Sequence, residues 1–309
     1  MINRRLLLKA LGIPVTAGLL SNTVWADSPD KTVANIITKK IPASGESLAV
    51  IGMGSSRTFN HLENTDLHPQ LLEVLGTFFK MGGQLIDSSP MYGSAEELLG
   101  KLLTQLPKQK DIFAASKVWT DGEKAGIEAI EESRQRMAVD QMDLMQIHNL
   151  RDWKTHIKTL RKLKDDGVIR YIGITTSFER QYQDFENVMK SEPLDFIQIN
   201  YSLSEREVEK SIFPLAQDKG IAVIINRPFQ RGRLFSHTKN HEVPEFAKAF
   251  DCHSWAQFFL KFIVSHPAVT CAIPATTKPK HMKDNMMAQH GRLPGQKERE
   301  QMLAYVQSL

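Results

Sequence analysis

The segment LIDSSPMYGSAEELLG, residues 85–100, places a carboxylate, Asp87, five residues before a phenol, Tyr92. An amine, Lys117, closes the run DIFAASK, and an imidazole, His148, closes MDLMQIH. A free phenol, with a pKa of about 10, gives up its proton slowly at neutral pH. A neighbouring ammonium favours the phenolate, and a carboxylate beside that ammonium keeps it charged and in place. An imidazole adds a hydrogen bond to an oxygen on which negative charge develops. The four types together suit proton delivery to such an oxygen. Each also has an ordinary explanation: an ion pair on a rim, a satisfied core histidine, an exposed turn aromatic, and a turn whose Ser94 and Glu97 form a capping box for the next helix.

What could bring residues so far apart in the chain to one place is legible in the hydrophobic pattern. Short apolar runs recur eight times: SLAVIGMG, QLIDSS, DIFAASK, MDLMQIH, VIRYIGIT, LDFIQIN, IAVIIN and VTCAIP. Between them lie amphipathic segments of helix length, among them HPQLLEVLGTFFKMG, KAGIEAIEESRQRMAV, THIKTLRKLKDDG and EREVEKSIFPLAQDKG. Strands apolar on both faces and alternating with helices predict an α/β fold with a parallel sheet, and eight such units predict a closed (β/α)8 TIM barrel. An open doubly wound sheet is the competitor. Its phosphate fingerprint is missing, because GMGSSR at 52–57 has Arg57 where a third glycine belongs. In a barrel the active site lies where strands end and βα loops begin. The polar residues at those ends are Asp87, Lys117, His148, Thr175, Gln198, Asn200 and Asn226, with Tyr92 on the loop just beyond. They face one mouth.

The chain has 309 residues, 41% hydrophobic and 24% charged, enough for a sizeable core and too apolar for disorder. Its first 26 residues differ in kind. NRRLLLK at 3–9 resembles the twin-arginine export signal, and a modestly apolar run broken by Gly12, Pro14 and Gly18 leads to a cleavage-like site at Ala26. The run is too short to anchor comfortably in a bilayer. Residues 1–26 are therefore expected to be a signal peptide recognised by the twin-arginine machinery, 27–309 the barrel domain, and the mature protein periplasmic, without stable membrane insertion. Removal of the segment takes away Arg4, Arg5, Lys9 and no acid, so a formal charge of +4 falls to +1. A nearly neutral mature chain argues against nucleic acid as a partner. Cys252 and Cys271 make no disulfide framework, and Cys271 in VTCAIP suits a core position. His237, His241 and Glu242 lack the spacing and third ligand of a metal site, and no metal is expected.

Asp87, Tyr92, Lys117 and His148 at the ends of the second to fourth strands resemble the catalytic tetrad of the aldo-keto reductase superfamily. GVIRYIGITT, FIQINYS and IPATTKPKHMKDN extend the resemblance over nearly the whole mature chain. It implies NADP(H)-dependent reduction of aldehydes or ketones by hydride transfer, with NAD possible as cofactor. Tyr92 would be the general acid, Lys117 would tune it, Asp87 would support Lys117, and His148 would orient the carbonyl. For the cofactor the resemblance implies Gln198 and Thr175 at the carboxamide, Arg231 and Gly232 at the pyrophosphate, and Thr276, Lys278, His281 and Asn285 along the adenosine segment. Four positions depart from the family pattern. Thr175 and Thr176 replace a Ser-Asn pair, Asn226 stands where an aromatic commonly stacks on the nicotinamide, and His281 replaces a phosphate-binding arginine. The partner implied is a small-molecule carbonyl compound, acted on by a monomer. The alternative is a nicotinamide-binding, redox-sensing or regulatory barrel with little turnover.

Overall fold

The computed structural model describes residues 36–107 and 112–309. The expected export segment, 1–26, lies outside the described residues. The chain opens with an antiparallel hairpin, β1 (Thr38–Lys40) and β2 (Ser47–Ala49). Then follow β3 (Met53–Gly54), α1 (His68–Lys80), β4 (Leu85–Asp87), α2 (Ala95–Leu103), β5 (Phe113–Val118), α3 (Glu123–Arg136), β6 (Met142–His148) and α4 (Trp153–Asp165). The second half runs β7 (Ile169–Thr175), α5 (Tyr182–Ser191), β8 (Phe196–Asn200), α6 (Ile212–Asp218), β9 (Ala222–Asn226), α7 (Arg233–His237), α8 (Trp255–Val264), β10 (Cys271–Ala272), α9 (Pro279–Met287) and α10 (Gln296–Gln307).

Strands β3 to β10 form one eight-stranded parallel sheet in sequence order. A parallel bridge between Ile51 and Ala272 joins its two edges, with Gly52 N donating to Ala272 O at 2.9 Å and Ala272 N to Val50 O at 2.9 Å. The expected (β/α)8 barrel is the fold observed. Its strands are buried on both faces because helices cover the outside and side chains fill the inside. Among the described residues no helix is long and apolar enough to cross a membrane.

The strand period of two decides what the interior contains. Phe113 and Ala115 precede Lys117 on the inner face of β5; Leu144 and Gln146 precede His148 on β6; Tyr171 and Gly173 precede Thr175 on β7; Phe196 precedes Gln198 and Asn200 on β8. The lower positions form an apolar plug with Leu85, Ile224 and Cys271, closed beneath by Ile41 and Leu48 of the hairpin region. Phe113, Tyr171 and Phe196 pack there with ring centres 5.4 to 5.8 Å apart. The upper positions are polar. One set of strands thus supplies both an apolar floor and the side chains above it.

Three local expectations are corrected. SLAVIGMG is not one barrel strand: Ser47–Ala49 pairs with β1 outside the barrel, and only Met53–Gly54 enters it. EREVEKSIFPLAQDKG is not one helix: a 3-10 turn at Glu207–Glu209 precedes α6, because Pro214 has no N–H to donate back to residue 210 and so must sit in a helix's first turn. Ser94 does not cap α2, since its Oγ accepts from Leu62 N at 3.3 Å instead.

Candidate active site

At the upper end of the barrel the Lys117 ammonium lies 2.8 and 2.7 Å from the two Asp87 oxygens and 2.6 Å from the Ser88 carbonyl. Both side chains are almost completely buried, at 1% and 2% exposed. Two amides close the cage around the carboxylate: Gln146 Nε2 donates to Oδ1 and Gln198 Nε2 to Oδ2, each at 3.2 Å. Gly173 makes room for Gln146, because a Cβ there would stand 2.8 Å from the Phe196 carbonyl oxygen and 3.3 Å from Gln146 Cγ. Burial alone would depress the Lys117 ammonium, but Asp87 and Tyr92 outweigh it and hold its pKa above the ordinary value. Lys117 is therefore a fixed positive charge.

The loop after β4 brings the phenol to that charge. Ser89 caps a 3-10 turn at Pro90–Tyr92 by accepting from Met91 N at 3.2 Å. The turn lays the Tyr92 ring 5.1 Å from Lys117 Nζ and edge-on to His148, ring centres 5.9 Å apart. Burial pushes the Tyr92 pKa above its usual value, and the Lys117 charge opposes that push without cancelling it. Lys117 acts in the expected direction, but the net shift is upward because desolvation is the larger effect. Tyr92 therefore keeps its proton at neutral pH.

His148 Nδ1 lies 3.0 Å from Ser89 Oγ. That oxygen also accepts the Met91 amide, and a hydroxyl proton donated to Nδ1 leaves the ring proton on Nε2, toward the cavity. Burial, then the charge of Lys117, drops the His148 pKa to about 3. The imidazole is neutral.

A cavity of about 790 Å³ opens above these groups. Asp87, Tyr92, His148, Thr175, Gln198, Asn226, Arg231 and Gly232 all line it, so the structure brings these residues of the sequence-based set together. Lys117 lies behind Tyr92. The cavity walls do not include Thr276, Lys278, His281 or Asn285: Lys278 precedes α9, His281 is exposed on it, and Asn285 is buried within it. Ser89, Asn149, Arg57 and Arg227 belong to the site and were missed. Ser89 hid among ordinary turn residues, and Asn149 falls one residue beyond the strand end.

Three buried oxygens of cavity-lining residues, Gln198 Oε1, Asn226 Oδ1 and Asn149 Oδ1, accept no hydrogen bond. A primary carboxamide offers two N–H donors and so fits such a set. The nicotinamide amide is of that kind. Among the described residues no three His, Cys, Asp or Glu side chains gather as a metal site, and His237 bonds the Val306 carbonyl at 3.1 Å. Cys252 and Cys271 are free and buried.

Comparison with known proteins agrees with this geometry. The chain is 30% identical over 256 residues to the methylglyoxal reductase YeaE of Escherichia coli, covering 80% of this chain and 88% of that one. It is 26% identical over 222 residues to an NADH-specific methylglyoxal reductase of the same organism, covering 60% and 65%. Its fold is similar to that of an aldo-keto reductase from Klebsiella pneumoniae in complex with NADPH, with a TM-score of 0.73 at 22% identity over 88% of this chain and 96% of that one. The model of the aldo/keto reductase family matches residues 50–300, and by that span this chain belongs to the family.

Proposed function

We propose that the protein reduces aldehydes or ketones to alcohols with NADP(H), and that Tyr92 is the proton donor. The observation that carries this is the Lys117 ammonium, clamped by Asp87 at 2.7 and 2.8 Å and lying 5.1 Å from the Tyr92 ring. A nicotinamide dinucleotide, when bound, would supply the hydride. Every other part belongs to the chain itself. Tyr92 delivers its phenolic proton to the carbonyl oxygen, and the fixed charge of Lys117 stabilises the phenolate left behind. His148, neutral and donating from Nε2, holds the same oxygen. Gln198 and Asn149 would receive the carboxamide, Asn226 would face the nicotinamide ring, and Arg231 with Gly232 would hold the pyrophosphate.

The kinship with methylglyoxal reductases makes small dicarbonyls a first substrate class to try. The test is NADPH or NADH consumption by the purified protein against methylglyoxal, aromatic aldehydes and quinones. Turnover with any of them, lost in Tyr92→Phe, supports the proposal. Tight NADPH binding with no turnover would favour the second reading, a nicotinamide-responsive regulatory barrel. Asn226 favours that alternative, since it offers the nicotinamide a buried amide where the family pattern has a flat aromatic face.

NRRLLLK further supports export through the twin-arginine route, with residues 1–26 as the signal. Export of folded protein would let dinucleotide be loaded before transport, and a ligand at a hundred times its dissociation constant stabilises the folded state by about 2.7 kcal/mol. Replacement of Arg4 and Arg5 by lysine should retain the uncut precursor inside the cell; undiminished export would overturn the assignment.

A further inference from the structure

Three arginines, Arg57, Arg227 and Arg231, line the cavity. Arg227 and Arg231 stand on the loop after β9, the side assigned to pyrophosphate, and Arg227 donates only to neutral acceptors, Ser177 O at 3.2 Å and Ser177 Oγ at 2.9 Å. Arg57 lines the same cavity from a different loop, the one after β3. Its side chain makes no hydrogen bond or ion pair with any described residue. The one carboxylate lining the cavity, Asp87, is already held by Lys117. No acid on this wall answers Arg57.

The loop that carries Arg57 is fixed. Ser55 N and Oγ both donate to Asp87 O at 3.0 Å, and Ser55 Oγ lies 2.9 Å from Ser88 Oγ. Thr58 N and Phe59 N fold back on Ser55 O at 3.1 and 3.2 Å, and Phe59 is fully buried beneath. Within this turn Arg57 takes φ 63°, the left-handed region that costs a residue with a Cβ about 1 to 2 kcal/mol. Strain at an exposed, unpaired arginine bolted to the strand end that bears Asp87 is the kind that persists where a ligand is received. Burial, then the charge of Arg231, lowers the Arg227 pKa, and Arg57 adds a smaller repulsion, so the two guanidinium groups lie within each other's field.

We propose that Arg57 receives an anionic group of the substrate, so that the preferred carbonyl compounds carry a carboxylate or phosphate remote from the reacting carbon. A planar guanidinium binds either group in a two-pronged fashion. The proposal rests on the carbonyl-reductase function above and names its substrate class.

The test compares kcat/KM, at low salt with saturating NADPH, for para-carboxybenzaldehyde against para-carbamoylbenzaldehyde, and for glyceraldehyde phosphate against glyceraldehyde. The anionic member of at least one pair should be preferred by about 10- to 100-fold, mainly through KM, the range for a hydrogen bond to a charged group. The pair that shows it distinguishes carboxylate from phosphate. Raising salt should shrink the preference, Arg57→Gln should bring the ratio near one, and Arg57→Lys should keep part of it. Reduction of the neutral aldehydes with no anionic preference would overturn the proposal, as would a preference that survives Arg57→Gln. So would an Arg57→Gln variant whose NADPH affinity, by fluorescence titration, falls as far as its kcat/KM, since Arg57 would then serve the dinucleotide. Failure to reduce any of the four compounds while methylglyoxal or a quinone is turned over would overturn this substrate class alone, and failure with those compounds as well would overturn the reductase function with it.

Discussion

Ser89 Oγ lies 3.0 Å from His148 Nδ1 while accepting the Met91 amide at 3.2 Å, so one hydroxyl both caps the turn that carries Tyr92 and holds the histidine beside it. Ser89→Ala leaves Nδ1 without that partner and frees the orientation of the ring. The expected loss is about 1 kcal/mol of transition-state stabilisation, or about fivefold in kcat/KM, with a smaller change in KM. Ser89→Thr, which keeps a hydroxyl, should recover most of it. Equal stability losses in both variants with no kinetic difference between them would leave Ser89 a turn cap only.

Tyr92→Phe removes the proton donor and keeps the ring's packing against His148. A lost general acid costs about 100- to 10,000-fold in rate. Because burial raises the Tyr92 pKa, the donor stays protonated through neutral pH, so kcat/KM for reduction by the parent protein should be level there. It should decline only on the alkaline side of an ordinary phenol. A limb falling near neutrality would show that another group limits the reaction.

Lys117→Met leaves Asp87 as a buried charge with only two amide donors. Breaking one side of a buried pair costs about 3 to 5 kcal/mol. The double variant Lys117→Met with Asp87→Leu should be more stable than Lys117→Met alone, by urea unfolding, because no orphan charge remains. Neither variant should support reduction.

His148 links stability to pH. Its folded pKa of about 3 lies below the unfolded value of 6.5, so the unfolded chain binds more protons between the two. The contribution is fully present above 6.5 and is lost as pH falls toward 3. His148→Gln should therefore lose less unfolding free energy than the parent between pH 7 and pH 4. Parallel pH dependence of the two proteins would mean that the imidazole is not desolvated.

Asn226→Tyr should return a flat face to the nicotinamide and strengthen dinucleotide binding by about 0.5 to 1.5 kcal/mol, the scale of aromatic pairs. Fluorescence titration of both proteins with NADPH measures it. Unchanged or weaker binding would place Asn226 away from the ring.

The sequence by itself determined the barrel, because apolar strands of period two between amphipathic helices leave a parallel, doubly covered sheet as the way to bury both faces. It also determined which groups meet: Asp87, Lys117, His148, Thr175 and Gln198 end successive strands, and barrel closure brings strand ends together whatever the loops do. Tertiary structure decided the rest. Whether Tyr92 is held up or down in pKa depends on the balance of burial against the Lys117 charge, and that balance exists only once the turn is packed. The roles of Ser89, Asn149 and Arg57 turn on distances across the barrel and on partners that are absent, neither of which a linear pattern encodes. Ser94 illustrates the same limit: its spacing to Glu97 fits a capping box, yet its hydroxyl serves the Leu62 amide, a neighbour 32 residues away that only the fold supplies.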